Sequence, residues 1–386
     1  MTTPNLKAYP HGEPVQNLKP PRLCASAVQN NKNLASWRLA IKTTNPFANS
    51  AILCVFAVPS NTQYQRACYH LIMSDTQDRS KSLQVSVPAT SANLGPGFDV
   101  LGLALDLRNV FHVTPAATTT ITIEGYGTHL STGQDNLFYK AFRQLHDLAG
   151  QQAPPLQIHM QLNVPPGKGL GSSATAVVGG LVAANAYLGM PYGPMELLAE
   201  AVTLEHGNHA DNVAPALLGS LVANVNDDGK VISVRLPVPD ALQAALFIPD
   251  FEMDTIQGRA LMPAQYPTAD VVFNTGRVAL FLSALALERY DLLRVAMQDR
   301  MHQPYRSQVF SLLPAIIEAA IEEGAHGACL SGGGSSVLAL GTERLVDIAV
   351  AMLGTARAAG ITGQAKVLQI DRHGVQAQWL GGDESA

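Results

Sequence analysis

The sequence predicts an α+β fold in two domains, and three observations lead to this prediction. After residue 82, strand-like and helix-like segments alternate in each half of the chain. Each half also contains one glycine-rich run, at 165–175 and at 331–336. Pro237 and Pro239 separate the halves and indicate a domain boundary. The predicted segments are an extension at 1–82, a domain at 83–237 and a second domain at 238–386.

In the first half, strands precede a helix, and a further strand leads through the first glycine-rich run into a buried helix. Asp135 and Asn136 suit the N-cap of the first helix. Asn93 to Gly97 forms a tight loop that carries Asp99. The predicted elements are strands at 84–88, 119–124 and 156–164, helices at 137–148, 174–188 and 194–204, and a hairpin of 218–225 and 231–236.

The second half begins with a strand, followed by a loop that contains Thr255 and Arg259. The second glycine-rich run lies between two short strands. The predicted elements are strands at 244–249 and 327–330, helices at 271–287, 292–301 and 313–323, and a polar link at 302–306.

Residues 1–82 show neither helical periodicity nor strand alternation, which predicts a disordered extension. Residues 1–72 contain seven Lys and Arg and one acid, Glu13. Such a basic composition is typical of an organelle transit peptide, which would place the protein in a plastid. Alternatively, synthesis begins at Met73 and the protein is cytoplasmic.

The remaining residues contain 18 basic and 29 acidic side chains, a net charge of −11 within the overall −5. A nucleic acid or an anionic membrane would favour a basic surface, so this charge argues against both partners. No apolar run approaches the roughly 20 residues that cross a bilayer. Three of the four cysteines precede residue 73, which argues against a disulfide framework and fits a reducing compartment.

The run PPGKGLGSSAT at 165–175 has the composition of a phosphate-binding loop. Its three glycines leave backbone N–H groups unshielded, and the small apolar run behind it predicts a buried helix whose positive end faces an anion. An ordinary glycine-rich turn before a buried helix is the alternative. The predicted ATP-binding residues are Pro165, Pro166, Gly167, Lys168, Gly169, Leu170, Gly171, Ser172, Ser173 and Ala174.

The run LEHGNHADNVAPALLG at 204–219 collects acids and histidines. Glu205, His206, His209 and Asp211 allow a zinc site, but Gly207 breaks the helix that would fix their geometry. A role in binding magnesium and substrate suits the acids better, because Mg²⁺ is held by one or two carboxylates together with phosphate oxygens.

Taken in order, these motifs resemble the GHMP kinase superfamily. PPGKGLGSSAT is similar to its ATP-phosphate loop, and LSGGGSS is similar to its last motif, although Ser335 and Ser336 stand where that motif often has Pro-Thr. SANLGPGFDVLGLAL and HADNVAPALLG resemble the homoserine kinases more than the mevalonate, galactose or diphosphocytidyl-methylerythritol kinases. The resemblance covers about residues 84–384.

The resemblance implies a two-domain GHMP kinase fold, with an N-terminal domain like ribosomal protein S5 domain 2 and a C-terminal ferredoxin-like α/β sandwich. It implies ATP and Mg²⁺ as cofactors, with Ser173 and Glu205 as magnesium ligands. Asp211 is the nearest candidate for a catalytic base, with substrate binding as its first role. The implied substrate-binding residues are Asn93, Asp99, His209, Asp211, Asn212, Thr255, Arg259, Arg306 and Ser336.

The implied activity is phosphorylation of the L-homoserine hydroxyl in threonine biosynthesis. Homoserine carries an ammonium, which suits Asp99, and a carboxylate, which suits an arginine fork. Without the motif context, Arg259 and Arg306 would be read as surface arginines, and Asn93 as a residue that satisfies loop amides. The alternatives are another GHMP small-molecule kinase, such as a mevalonate kinase, or a non-catalytic GHMP-fold sensor. A homodimer is also left open.

Overall fold

The computed structural model describes residues 81–205, 209–253 and 255–380, with the side chains of 255–257 outside the description. The predicted extension at 1–82 therefore lies outside the described residues, apart from its last two positions. Met73 and His206 lie outside them as well.

The first sheet has seven strands within the described residues, in the order β11-β1-β2-β4-β3, and β5 joins β2 to β6. All of its pairs are antiparallel except β3 with β4. Strand β11, which lies near residue 380, forms one edge of the sheet and pairs with β1. The strands are β1 (Leu83–Ala92), β2 (Leu101–Pro115), β3 (Thr120–Gly125), β4 (Leu156–Leu162), β5 (Leu221–Asp227), β6 (Lys230–Leu236) and β11 (Gln376–Trp379).

Four helices pack against this sheet: α1 (Leu137–Leu148), α2 (Ser172–Leu188), α3 (Pro194–Leu204) and α4 (Val213–Leu218). Asn136 caps α1 as predicted, because its side chain accepts hydrogen bonds from two backbone N–H groups of the first turn. Helix α2 is buried along almost its whole length. Gly180 permits this burial, since a Cβ there would overlap the carbonyl oxygen of Phe138 in α1.

The second sheet has four antiparallel strands in the order β10-β7-β9-β8. They are β7 (Gln243–Pro249), β8 (Gly327–Leu330), β9 (Val337–Gly341) and β10 (Gly363–Gln369). The helices are α5 (Thr255–Ala260), α6 (Thr268–Ala286), α7 (Leu293–Ala296), α8 (Gln303–Arg306), α9 (Leu313–Glu322) and α10 (Leu345–Ala358), with a 3₁₀ turn at Tyr290–Leu292.

One hydrophobic cluster joins the two sheets. It includes Leu103 of β2, Leu246 of β7, Leu338 of β9 and Phe281 of α6, all buried. Burial of apolar side chains is the main favourable contribution to folding, so this cluster holds the two halves together. The exact boundary predicted near residue 237 stays a prediction.

Three predicted elements of the second half were wrong. The loop expected to contain Thr255 and Arg259 is the helix α5, Thr255–Ala260. The helix expected at 292–301 ends at Ala296, and the polar link expected at 302–306 contains the short helix α8. His302, Gln303 and Arg306 of that segment are buried. Their polar groups bond to backbone atoms distant in sequence, a type of partner that local hydropathy does not reveal.

Helix α6 is 19 residues long, and by length and composition alone it could cross a membrane. The expectation of no such run was therefore wrong for α6. One helix of this kind is weak evidence of a membrane span. Burial in the protein core does not account for its apolar composition, because only 22% of its apolar window is buried. Its polar side chains are tied to the fold: Asn274 donates to Asp299 Oδ1 at 2.7 Å and to the Pro96 carbonyl oxygen at 3.2 Å. These contacts make α6 part of the packing of the second half.

Candidate functional site

The predicted phosphate-binding loop at 165–175, called the phosphate loop below, connects β4 to the start of α2, as the sequence predicts. Gly167, Gly169 and Gly171 all have left-handed backbone angles, with φ of 68°, 70° and 69°. A Cβ at Gly169 would overlap the carbonyl oxygen of Ser331, so the two glycine-rich runs touch at this residue. The loop is thus fixed against the second half of the chain.

The N-terminus of α2 is open to an anion. Its N-cap residue, Gly171, provides no side-chain hydrogen bond to the first turn. In a 17-residue helix, uncapped N–H groups and the helix dipole favour a bound negative charge. This geometry favours the interpretation as a phosphate-binding loop over that as an ordinary glycine-rich turn.

Ser173 and Glu205 meet beside this helix end. The Ser173 hydroxyl donates to Glu205 Oε2 at 3.2 Å, and the pair is exposed. A hydroxyl and a carboxylate are both oxygen ligands of the kind that Mg²⁺ accepts alongside phosphate oxygens. The donor set therefore fits the predicted metal.

Lys168 is buried and turned away from open solvent. Its Nζ donates to the carbonyl oxygen of Asp250 at 2.6 Å. Burial lowers the pKa of its ammonium, while Glu252 and Asp250 act in the opposite direction. The side chain thus ties the phosphate loop to the end of β7. Its predicted role in ATP binding stays a prediction.

The predicted acceptor pocket is organised around an ion pair. Arg259 Nη1 donates to Asp99 Oδ2 at 2.9 Å, and Nη2 donates to Oδ1 at 2.7 Å. His209 lies beside them, with its Nδ1–H donating to Asp211 Oδ1 at 2.8 Å. That hydrogen bond raises the pKa of His209, and Asp99 adds to the effect, against burial and Arg259. One pocket therefore presents groups of both charges.

Metal-ligand atoms of Asp99, His209 and Asp211 all lie within 4.8 Å of one another. The zinc alternative considered from the sequence involved Glu205, which instead pairs with Ser173. The Arg259 guanidinium also stands within the cluster, with Nη2 3.3 Å from His209 Nε2. A fixed cation at this place disfavours a second one, so the cluster fits a zwitterionic ligand better than zinc.

Asn93 and Asn212 are engaged within the protein. Asn93 Oδ1 accepts from the backbone N–H of Asp99 at 3.0 Å, and its Nδ2 donates to the Gly332 carbonyl oxygen at 3.0 Å. Asn212 Oδ1 accepts from the Thr90 hydroxyl at 2.9 Å. Asn93 thus satisfies loop amides, as its simpler interpretation expected. The substrate contacts predicted for both residues stay predictions.

Arg306 is only 2% exposed, so its interpretation as a surface arginine was wrong. Its Nη1 donates to His302 Nδ1 at 2.9 Å and to the Gly332 carbonyl oxygen at 3.0 Å. Its Nε has no hydrogen-bond partner among the described residues. A buried guanidinium N–H without a partner favours an anionic ligand. Arg259, by contrast, is exposed.

Sequence reasoning missed Phe98, His302 and Asp299. The Phe98 ring lies 5.1 Å from the Arg259 guanidinium carbon and 5.6 Å from that of Arg306. His302 Nε2 donates to the Gly95 carbonyl oxygen at 2.7 Å. Asp299 accepts from the backbone N–H groups at 301, 302 and 303. The signal available in the sequence was the i, i+4 spacing of His302 and Arg306, which places both on one side of a helical turn.

The second glycine-rich run closes the site against the phosphate loop. The Ser331 hydroxyl donates to the Gly169 carbonyl oxygen at 2.7 Å, and Ser336 N–H donates to the Lys168 carbonyl oxygen at 3.1 Å. The Ser336 hydroxyl is buried without a hydrogen-bond partner among the described residues. Thr255 begins α5, and its side chain is outside the description.

Comparison with known proteins agrees with this geometry. The family description "GHMP kinases N terminal domain" matches residues 136–220, and "GHMP kinases C terminal" matches 281–358. The chain is 38% identical over 294 residues to the homoserine kinase of Desulfitobacterium hafniense, covering 76% of this chain and 98% of that protein. It is 42% identical over 292 residues to that of Moorella thermoacetica, covering 75% and 98%. The chain belongs to the homoserine kinases of the GHMP kinase family.

A solved structure supports this membership. The crystal structure of a homoserine kinase from Cytophaga hutchinsonii superposes with a TM-score of 0.71 at 30% identity, covering 77% of this chain and 97% of that one. The mixed α+β GHMP kinase fold with N- and C-terminal domains is thereby confirmed. Membership of the GHMP kinases also implies that the chain uses ATP.

Proposed function

We propose that this chain transfers the γ-phosphoryl group of ATP to the hydroxyl of L-homoserine, giving O-phospho-L-homoserine in threonine biosynthesis. The observation that carries this proposal is the two-point ion pair of Asp99 and Arg259 beside the buried Arg306. An amino acid has an ammonium and a carboxylate on one carbon, and this pocket offers an opposite charge to each.

In this proposal the substrate ammonium binds Asp99, and the substrate carboxylate binds the guanidinium groups of Arg259 and Arg306. Arg306 Nε supports the second assignment, because it is buried and lacks a hydrogen-bond partner among the described residues. Mevalonate has no ammonium, so it would leave Asp99 to Arg259 alone. The charge pattern therefore favours an amino-acid acceptor over the mevalonate alternative.

The nucleotide phosphates are placed by the proposal at the uncapped N-terminus of α2. Ser173 and Glu205 would hold Mg²⁺, which neutralises phosphate charge when bound. The backbone amides of the loop and the helix dipole stabilise the charge that develops on the transferred group. A sensor without turnover has no need of this oxygen pair, which argues against that alternative.

Asp211 is proposed first as an orienting group. Its carboxylate is buried and accepts the Nδ1–H of His209, which leaves Nε2 as the ring nitrogen near Arg259. This bond fixes the imidazole beside the acceptor pocket. We also propose Asp211 as the carboxylate that accepts the proton of the substrate hydroxyl.

Release of ADP by the purified chain, with ATP and Mg²⁺, tests the activity. Homoserine, mevalonate and shikimate are supplied in parallel at equal concentrations. The proposal expects ADP release well above background with homoserine alone. Turnover with mevalonate but not with homoserine would contradict the proposal and identify mevalonate as the substrate. No turnover with any acceptor would favour the alternative of a non-catalytic sensor.

For assembly and compartment we propose a cytoplasmic homodimer, with a plastid location if residues 1–72 act as a transit peptide. Val272 in α6 and Leu287 just after it are 65% and 69% exposed, and we propose that they lie in the contact with the second copy. Sedimentation of the full chain at several concentrations tests the assembly. A single monomeric species throughout would contradict it.

A further inference from the structure

We propose that Asn274 is a positioning residue for the phosphoryl acceptor, because its buried amide holds the loop at 93–99 in the conformation that presents Asp99. This inference rests on the proposed function, in which Asp99 binds the substrate ammonium. It adds a residue that acts through Asp99 rather than on the substrate itself. Asn274 lies in α6 and was not among the residues that the sequence motifs singled out.

The loop at 93–99, called the acceptor loop below, has an unfavourable backbone conformation. Asn93, Leu94 and Asp99 all have left-handed backbone angles, with φ of 71°, 47° and 60°. Such angles cost a residue other than glycine about 1–2 kcal/mol each, and they persist only where the surrounding structure imposes them. The conformation that presents Asp99 therefore depends on contacts from outside the loop.

Two side chains of the second half bind consecutive carbonyl groups of the acceptor loop. Asn274 Nδ2 donates to the Pro96 carbonyl oxygen at 3.2 Å, and His302 Nε2 donates to the Gly95 carbonyl oxygen at 2.7 Å. The loop also packs directly on the backbone of the second half, because a Cβ at Gly95 would lie 2.2 Å from the Met297 carbonyl oxygen. Two donors at adjacent residues fix both the place and the direction of the chain there.

Asn274 is itself fixed by the second half. Its side chain is buried, with the residue 3% exposed. Nδ2 also donates to Asp299 Oδ1 at 2.7 Å, and Oδ1 accepts from the backbone N–H of Arg300 at 2.9 Å. Both N–H groups and the carbonyl oxygen of the amide thus have partners, so the amide cannot turn without losing them. Asp299 in turn accepts from three backbone N–H groups at 301–303. One side chain therefore connects the acceptor loop to the segment at 299–303.

The other contacts of Asp99 do not fix its position. Its backbone N–H donates to Asn93 Oδ1 at 3.0 Å, a bond within the acceptor loop. Its carboxylate pairs with Arg259, and both side chains are partly exposed, at a stabilisation of only about 0–1 kcal/mol for such pairs. The place of the carboxylate thus follows that of the loop. A shift of about 1 Å in a group that orients a substrate costs up to about 100-fold in rate.

A purely structural role for Asn274 predicts a loss of stability without a change in the kinetics of the folded enzyme. Asn185 provides the matched control, because it is also a buried asparagine in a helix. Its Nδ2 donates to the Tyr192 carbonyl oxygen at 3.0 Å, and its Oδ1 accepts from the Tyr192 N–H at 3.1 Å. It lies near the C-terminal end of α2, the opposite end from the proposed nucleotide site.

The experiment compares the full wild-type chain with Asn274→Ala and Asn185→Ala. Melting temperature, kcat, and KM for homoserine and for ATP are measured for each. Both variants should lose stability, because each removes buried hydrogen bonds. Only Asn274→Ala should lower kcat/KM for homoserine, by about 10- to 100-fold, with the ATP KM within about twofold of wild type. Equal homoserine kinetics for the two variants would overturn the inference.

Asn274→Leu is a second variant for the case that the alanine variant does not fold. Leucine fills the space of the amide and suits a helix, but it makes none of the three hydrogen bonds. The same loss of homoserine kcat/KM is expected. If neither variant at 274 folds while Asn185→Ala does, Asn274 is structural and the inference is wrong.

A double-mutant cycle with Asp99→Asn tests whether Asn274 acts through Asp99. Once the carboxylate is replaced by an amide of the same shape, its position matters less. Asn274→Ala should then lower homoserine kcat/KM by less than about threefold in the Asp99→Asn background, because losses at two coupled residues do not add. An equal loss in both backgrounds would contradict the inference.

Failure of the inference can be told apart from failure of the proposed function. If the wild-type chain does not phosphorylate homoserine, the proposed function is wrong and the inference fails with it. If wild type phosphorylates homoserine and the Asn274→Ala kinetics match those of Asn185→Ala, the inference alone is wrong.

Discussion

Arg259 and Asp99 lie 160 positions apart in the chain and form a two-point ion pair, with both guanidinium–carboxylate distances below 3.0 Å. Both side chains are partly exposed, at 43% and 28%. Exposed pairs of this kind contribute only about 0–1 kcal/mol to stability. The fixed geometry of the pair is therefore better explained by what it binds than by what it stabilises.

Arg259→Lys should impair homoserine binding without a matching loss of stability. Lysine keeps the charge but lacks the planar fork, so one charged hydrogen bond to the carboxylate is lost. We expect the homoserine KM to rise about tenfold or more, with the ATP KM nearly unchanged. Arg289→Lys is the control, because Arg289 also makes a two-point contact with an exposed carboxylate, through Nε and Nη2 to Asp291, outside the pocket. Equal kinetics for the two variants would remove Arg259 from the acceptor site.

Ser173→Ala should lower kcat far more than it weakens homoserine binding. The Ser173 hydroxyl bonds to Glu205, whereas the neighbouring Ser172 hydroxyl bonds to the Val164 carbonyl oxygen at 3.1 Å. Ser173 is a proposed magnesium ligand, and even the loss of a group that only supports a metal ligand costs about 10- to 100-fold in affinity or activity. The Mg²⁺ concentration needed for half-maximal rate should rise as well.

Ser172→Ala provides the comparison for that experiment. Its lost hydrogen bond lies within the protein, so we expect a loss of about 1 kcal/mol in unfolding free energy and little change in magnesium dependence. A Ser173→Ala variant with the magnesium dependence of wild type would separate Ser173 from the metal site.

The phosphate loop was predictable because its information is local. Three glycines, two serines and a small apolar run lie within one stretch, and they specify a turn and a helix start wherever the loop is placed. The same holds for Asn136, whose partners are two and three residues away. Local motifs therefore predicted the turn and the helix start at which we propose that the nucleotide binds.

The acceptor half was less predictable because its partners are distant. His302 bonds to Gly95, 207 positions earlier, and Asn93 bonds to Gly332, 239 positions later. Polar residues at 302–306 resemble a solvated link in the sequence, and only these distant carbonyl groups allow their burial. Helix α10 and strands β10 and β11 were also absent from the sequence prediction.

Gly169→Ala should reveal the contact between the two glycine-rich runs. An L-residue with φ near 70° costs about 1–2 kcal/mol, and the added Cβ also overlaps the Ser331 carbonyl oxygen. Gly150 has a similar φ of 66°, but no heavy atom of the described residues lies within 4 Å of an added Cβ, so Gly150→Ala isolates the backbone cost. Urea unfolding should show a loss about 1–3 kcal/mol larger for Gly169→Ala than for Gly150→Ala.

The Gly169 variant should also raise the ATP KM, since its loop faces the nucleotide in our proposal. Equal losses of stability in the two variants would contradict the close contact at Ser331. An unchanged ATP KM, together with a large loss of stability, would show that the contact is structural alone.

His302→Gln should change how stability depends on pH. Gly95 offers only a carbonyl acceptor and Arg306 only a donor, so the ring carries hydrogen on Nε2 and is neutral. Burial, the largest cause, lowers the pKa of His302, and Arg306 adds to this, while Asp299 and Asp99 act against it. The folded pKa therefore lies below the unfolded value of about 6.5.

The sign follows from proton linkage. Between the folded pKa and about 6.5, the unfolded chain binds a proton that the folded chain does not, so stability falls as pH decreases, by at most about 1.4 kcal/mol per pH unit for this one group. From about pH 7.5 upward this group gives almost no pH dependence, because the imidazole is then neutral in both states. His302→Gln removes the contribution, so its unfolding free energy should fall less steeply than that of wild type between pH 6.5 and 5.5, even if the variant is less stable at pH 7.5. Urea unfolding at the three pH values measures this slope, and parallel slopes for the two proteins would show that His302 is not held neutral between Gly95 and Arg306.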